Sequence, residues 1–165
     1  MADNAPVLTR PDLRSRPVPV VDPYVRPFYD AAARGCLVLP LCRHCGRHAQ
    51  PGVRICPQCL HNDLEWTAVG GNGRIYSYVV FHRSFHPSFP VPYNVCTVEL
   101  DEGPRLISQV LDILPESLRV GLQVTADFSG RAGEVPIIQF RCTSDAAAAA
   151  PQVQRFETNS HRKDF

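Results

Sequence analysis

The sequence predicts a mainly β protein in three parts: a short amino-terminal helix, a four-cysteine ribbon and a small antiparallel barrel of five strands. Three observations lead there. Four cysteines fall into two Cys-x-x-Cys pairs, Cys42/Cys45 and Cys56/Cys59. Sixteen prolines in 165 residues break up long helices and favour turns and short strands. From residue 72 to residue 142, five runs rich in β-branched and aromatic residues alternate with Gly, Pro and Asp.

Residues 1–21 contain Pro6, Pro11, Pro17 and Pro19 and show no steady apolar period, which predicts an extended, flexible arm. Residues 22–36 read as an amphipathic helix. Asp22 is placed to cap it, Pro23 and Pro27 lie near its start, and Gly35 can stop it. Tyr24, Phe28 and Ala32 recur every fourth residue, with Val25 and Tyr29 beside them, and Pro27 is where such a helix would break. The apolar face, with Tyr24, Phe28 and Tyr29, either covers this chain's own core or docks on a partner.

Residues 37–66 form the cysteine segment, entered through a strand-like Leu37-Val38-Leu39. Residues 67–142 are the barrel, with GRIYSYVVFH, YNVCTVEL, RLISQVLDI, LQVTADF and IIQFRC as its strands. Residues 143–165 include an alanine run ended by Pro151 and otherwise polar text, and read as a flexible tail.

Two Cys-x-x-Cys turns each present two sulfurs on one side of a tight loop, which suits a tetrahedral zinc ion. Cys42, Cys45, Cys56 and Cys59 are the expected ligands of one zinc per chain. Gly46 supplies the positive φ that the first turn needs, whereas the matching place after Cys59 holds Leu60. Four cysteines close the coordination sphere and leave no position for water, so the site is expected to be structural. Arg43, His44, Arg47, His48 and Arg54 are expected to face solvent and balance the thiolate charge. Cys36, Cys96 and Cys142 fit as ordinary thiols of a helix end and of strands.

Net charge is +1, and residues 71–142 hold six arginines against seven acids. Without a basic segment, backbone binding of nucleic acid lacks its driving force. There is no secretory signal and no apolar run long enough to span a bilayer, which predicts a cytoplasmic chain away from the membrane.

No nucleophile elbow, P-loop or dinucleotide fingerprint occurs, and no catalytic residue is assigned. Gly70–Arg74, GGNGR, precedes a strand and reads as a turn. The densest polar and aromatic stretch is Phe81–Tyr93, FHRSFHPSFPVPY, joining the first two barrel strands. Its aromatics fit as anchors to the barrel. Arg74, His82, Arg83 and Phe85 are the candidates for contact with coenzyme A or with a partner.

The order of parts resembles the rubredoxin-like zinc-ribbon plus OB-fold family that accompanies thiolase-superfamily enzymes. PFYDAAARGCLVLPLCRHCGR, CPQC followed by Leu64–Trp66, GGNGRIYSYVVFHR, VPYNVCTVELDEGPRLISQV and LRVGLQVTADF carry it, over about residues 23–142. The resemblance implies an OB-fold barrel and an accessory, non-catalytic subunit of a thiolase-type complex acting on acyl-CoA, as an acyltransferase, thiolase or aldolase. It implies a thiolase-like catalytic partner, a 2:2 heterotetramer, and an acyl-CoA site at or near the interface. The missing glycine after Cys59 departs from the family's usual knuckle. The competing reading is a module for single-stranded nucleic acid, using Tyr76, Tyr78 and Phe81 on a barrel face.

Overall fold

The computed structural model describes residues 16–143; of the flexible arm expected over residues 1–21 and the tail expected over residues 143–165, all but residues 16–21 and residue 143 lie outside them. Helix α1 spans Arg26–Ala33. Asp22 does not cap it directly, since Val25 holds the N-cap position. The Asp22 carboxylate instead accepts the N–H groups of Tyr24 and Val25 at 2.7 and 3.1 Å, an Asx-turn that closes the approach to the helix. Pro27 leaves the helix unbroken because it lies in the first turn, where an N–H has no intrahelical acceptor. At the other end Gly35 adopts φ 75°. The N–H groups of Gly35 and Cys36 then reach the carbonyls of Ala32 and Ala31 at 3.0 and 3.1 Å, a Schellman stop.

Strands β1 (Leu37–Cys42) and β2 (Leu64–Val69) form an antiparallel hairpin with Pro40 opposite Trp66. The barrel follows: β3 (Asn72–Phe81), β4 (Tyr93–Leu100), β5 (Arg105–Ser108), β6 (Val110–Leu111), β7 (Gln123–Ala132) and β8 (Val135–Cys142). Their order in the sheet is β5-β4-β3-β7-β8-β6. A Cβ on Gly73 would run into the carbonyl oxygen of Glu99. The GGNGR turn therefore uses glycine for close approach of two strands.

Six strands replace the five expected, because RLISQVLDI divides at Gln109. Its first half pairs antiparallel with β4 at one edge of the sheet, and its second half pairs parallel with β8 at the other. One short segment thus ties the two edges of a curled sheet together. Buried Asn94 supports the crossing: its amide oxygen accepts the Val110 N–H and its amide nitrogen donates to the Val110 carbonyl, both at 2.8 Å. A side-chain amide continues the β4 ladder where β5 has left it.

The core joins Ile75, Cys96, Val98, Leu100, Val110, Leu118, Leu122, Val124 and Phe140 of the barrel to Leu37 and Leu39 of β1. The ribbon hairpin is therefore rooted in the barrel. Helix α1 lies against β1 and β8, with Ala31 and Ala32 buried and Phe28 packed on the core. Residues 16–21, read as part of the arm, also meet the barrel. Arg16 donates to Gln109 Oε1 at 3.3 Å and lies 4.5 Å over the Phe89 ring.

Candidate metal centre and neighbouring surfaces

The β1–β2 hairpin opens into two knuckles that face each other. In the first, the Gly46 N–H bonds to the Cys42 carbonyl at 2.8 Å; in the second, the Leu60 N–H bonds to the Cys56 carbonyl at 2.9 Å. The two turns share one backbone shape. Gly46 has φ 69° and Leu60 has φ 62°. The absent glycine leaves the loop unchanged and instead forces a leucine into the left-handed region, at about 1–2 kcal/mol.

The Sγ atoms of Cys42 and Cys59 are 3.6 Å apart, as are those of Cys45 and Cys56, and all four lie within 4.8 Å of one another. All are free thiols. Four sulfurs each at 2.3 Å from a central ion in a tetrahedron stand about 3.8 Å apart, so the arrangement fits a metal. The electrostatics agree. Backbone N–H bonds from Cys59 and Gln58 draw the Cys56 thiol down to about 6. The His61 N–H favours the Cys59 thiolate, yet burial and the crowding of the other three sulfurs push that thiol up to about 12. Four such sulfurs ionise together only around a cation.

Of the five basic residues of the segment, Arg43, His44, Arg47 and Arg54 are exposed and His48 is half-buried, and each also has a partner within the protein. Arg43 binds Glu65 at 2.9 Å, and Arg47 donates to Gln58 Oε1 at 3.0 Å, linking the two knuckles. Arg54 lies 4.5 Å over the Tyr24 ring. His48 is half-buried and bonded to Thr67 Oγ1 at 3.1 Å. His44 stacks on His61 across the two knuckles, with centroids 3.6 Å apart. Cys36, Cys96 and Cys142 stay outside the cluster. Burial pushes the Cys96 thiol up to about 11, and that of Cys142 upwards too.

The remaining sequence candidates scatter. Tyr24 is half exposed in the turn before α1, Phe28 packs inward, and Tyr29 stands edge-on to it with its hydroxyl pKa raised by burial. Phe28 and Tyr29 line one side of a groove of about 300 Å³ whose other walls come from β5 and β8. Arg74 and Arg105 both bind the Glu99 carboxylate, at 2.6 and 2.9 Å, and hold it below the usual carboxylate range. Arg105 also covers the Tyr76 ring at 3.4 Å. The outer face of β4 and β5, where OB barrels take oligonucleotides, thus presents Thr97, Glu99, Arg105 and Ile107 with its arginines already paired.

His82, Arg83 and Phe85 sit together on the exposed loop after β3. Arg74 is at the opposite end of that strand, about 23 Å away, and does not join them. Sequence reasoning missed Arg16, Asn94 and Gln139. The side chains of Gln109 and Gln139 meet at 3.2 Å, and Gln109 also receives Arg16. Among the described residues no helix is long and apolar enough to cross a membrane.

Residues 66–129 match the family model described as ChsH2, C-terminal OB-fold domain. A probable enoyl-CoA hydratase alpha subunit of Thermomonospora curvata is 33% identical over 126 residues, which are 76% of this chain and 40% of that protein. This chain thus spans less than half the length of that relative. A chain of the Ltp2-ChsH2(DUF35) aldolase superposes with a TM-score of 0.68 at 32% identity, over 75% of this chain and 98% of that one. A DUF35 domain-containing scaffold protein of Methanocaldococcus jannaschii is 34% identical over 108 residues, 63% of this chain and 75% of that protein. With a helix, a four-cysteine ribbon rooted in the core of an OB barrel, and relatives above 30% identity of which it covers 75% and 98%, this chain belongs to the DUF35 family.

Proposed function

We propose that this chain is a non-catalytic accessory subunit that stabilises a thiolase-type catalytic chain and helps shape its acyl-CoA site. One observation carries the reading: similarity in both sequence and fold to nearly the whole of one chain of an aldolase named for two components, Ltp2 and ChsH2(DUF35). The scaffold and hydratase-subunit names of other relatives point the same way. On this reading two copies serve a dimer of the catalytic chain, giving a 2:2 assembly, since symmetric enzymes take accessory chains in matching copies. The acyl-CoA lies at or near the interface.

The four cysteines hold one zinc ion. Closed tetrahedral sulfur coordination serves zinc or iron and leaves no site for water, so the ion supplies rigidity and no reaction step. Cys42 and Cys45 grip it from the β1 side, and Cys56 and Cys59 from the second knuckle. The units are the helix at residues 22–36, the ribbon at residues 37–66 and the barrel at residues 67–142.

The test is co-purification of the tagged chain from its own cells, followed by native mass spectrometry and elemental analysis. A thiolase-sized chain in equal copy number, and one zinc per small chain, are expected. Recovery of the small chain alone, or turnover of CoA esters by it at an enzyme-like rate, defeats the reading. A red, iron-loaded preparation would overturn zinc alone.

A further inference from the structure

We propose that the loop of residues 82–92 is the docking element for the catalytic partner, with the Phe85 ring seated in an apolar pocket of that chain and acidic residues around the pocket's rim. This rests on the accessory-subunit reading and adds where and by what chemistry the partner is held.

The first ground is a built support under an exposed ring. Phe81 stacks on Tyr93 at 5.0 Å, Tyr93 meets Phe89 at 5.6 Å, and Arg16 lies over Phe89 at 4.5 Å. From Phe81 the series continues to Phe85, edge-on at 5.6 Å, yet Phe85 remains 71% exposed. Phe81 and Tyr93 at the strand ends and Phe89 of the loop half-bury one another. Phe85 is left pointing out, with exposed Val79 and Val91 nearby in sequence. A pre-positioned aromatic loses little freedom when it binds, which is the property of an interface anchor.

The second ground is charge. Between Ile75 and Val98 there is not one Asp or Glu, while His82, Arg83 and His86 are all exposed there. Four arginines elsewhere have acidic partners: Arg74 and Arg105 with Glu99, Arg43 with Glu65, and Arg141 with Asp112 and Asp127. Neither Arg83 nor Arg16 forms an ion pair with a described residue. Arg16 Nε is buried with no hydrogen-bond partner among the described residues. Among the described residues this end of the barrel therefore carries positive charge with no acidic partner around an apolar knob, complementary to an acidic rim around a pocket. A nucleic acid would need several aromatic faces open for successive bases, and here Phe81, Phe89 and Tyr93 close on each other while Arg105 covers Tyr76.

The experiment uses the full-length chain and the catalytic chain identified by mass in its co-purified complex, reconstituted from purified components. Dissociation constants are compared for the wild type, Phe85→Ala, Arg83→Glu and the distant exposed control Val120→Ala, alongside hydrogen exchange of residues 82–92. Phe85→Ala is expected to weaken binding about thirtyfold or more. Arg83→Glu should weaken it about tenfold, chiefly through the association rate and less so at high salt. Val120→Ala should change it less than about twofold, and the loop amides should gain protection in the complex. All variants should melt with the wild type when free. An intact complex in which Phe85→Ala and Arg83→Glu bind as the wild type, or in which the loop exchanges as freely as before, overturns the docking proposal and leaves the accessory reading standing. No complex with any thiolase-like chain overturns both.

Discussion

The knuckle end and the barrel end of this molecule are held in shape by different physics. From Arg43 to Asp63 the buried side chains are Ala49 and Cys56. The barrel and the root of β1 bury Leu37, Leu39, Ile75, Val98, Leu100, Val110, Val124 and Phe140 together. Burying such a side chain contributes about 1.5–3 kcal/mol, so the barrel has a core and the knuckles have almost none. The difference says what the proposed metal site would contribute. A loop that cannot bury apolar surface would take its shape from the ligand bonds of the proposed metal, beside cross-links such as Arg47 to Gln58 and His44 to His61.

The largest way to break this contrast is to remove a sulfur. In Cys56→Ser the metal content should fall from about one ion per chain to a small fraction, because structural sites of this kind are worth about 10–16 kcal/mol. Hydrogen exchange should then show residues 43–61 unprotected while β3, β4, β7 and β8 keep their protection. Loss of protection in both regions would mean that the barrel also depends on the metal.

Phe140→Ala attacks the other side and should destabilise the protein by about 3–5 kcal/mol. Because Leu37 and Leu39 share the core with Phe140, urea unfolding should take the ribbon and barrel down in one transition. A knuckle signal that outlived the barrel signal would show two independent units.

Asn94→Ala tests the seam. It leaves the N–H and C=O of Val110 without their amide partners, and two buried backbone groups should cost about 2–4 kcal/mol in chemical unfolding. A loss below about 1 kcal/mol would mean that the segment crosses between the edges of the sheet without this side chain.

The smallest effect sharpens the comparison inside the metal site itself. Leu60→Gly removes left-handed strain but adds backbone entropy to the unfolded chain, for a net gain of about 0.5 kcal/mol. Gly46→Ala should lose about 1 kcal/mol at the matching place. Thermal midpoints of the metal-loaded proteins read both, and equal signs for the two substitutions would show that the knuckles are not equivalent.

Much of this was legible before the fold. The Cys-x-x-Cys spacing determined which four sulfurs meet, since a turn of four residues carries both thiols to the same side wherever the rest of the chain goes. Gly35 marked the helix end, because its local requirement for positive φ is met in the sequence itself. The five β-rich runs told of a barrel, since the Gly, Pro and Asp between them mark the turns that join short strands.

Other features were decided only when distant segments met. RLISQVLDI reads as one strand, yet it divides at Gln109 because its two halves have different neighbours, β4 and β8. Nothing local in Asn94 says that its amide will act as backbone for Val110, 16 residues on. Whether Phe28 faced the core or a partner was equally open, because an apolar helix face looks the same in either case until β1 and β8 arrive beneath it. The sequence by itself determined the cysteine knuckles and the strand pattern, whose causes lie within a few residues. The tertiary structure alone decided the seam, the shared core and the exposure of Phe85, because each depends on contacts between parts of the chain that carry no trace of one another.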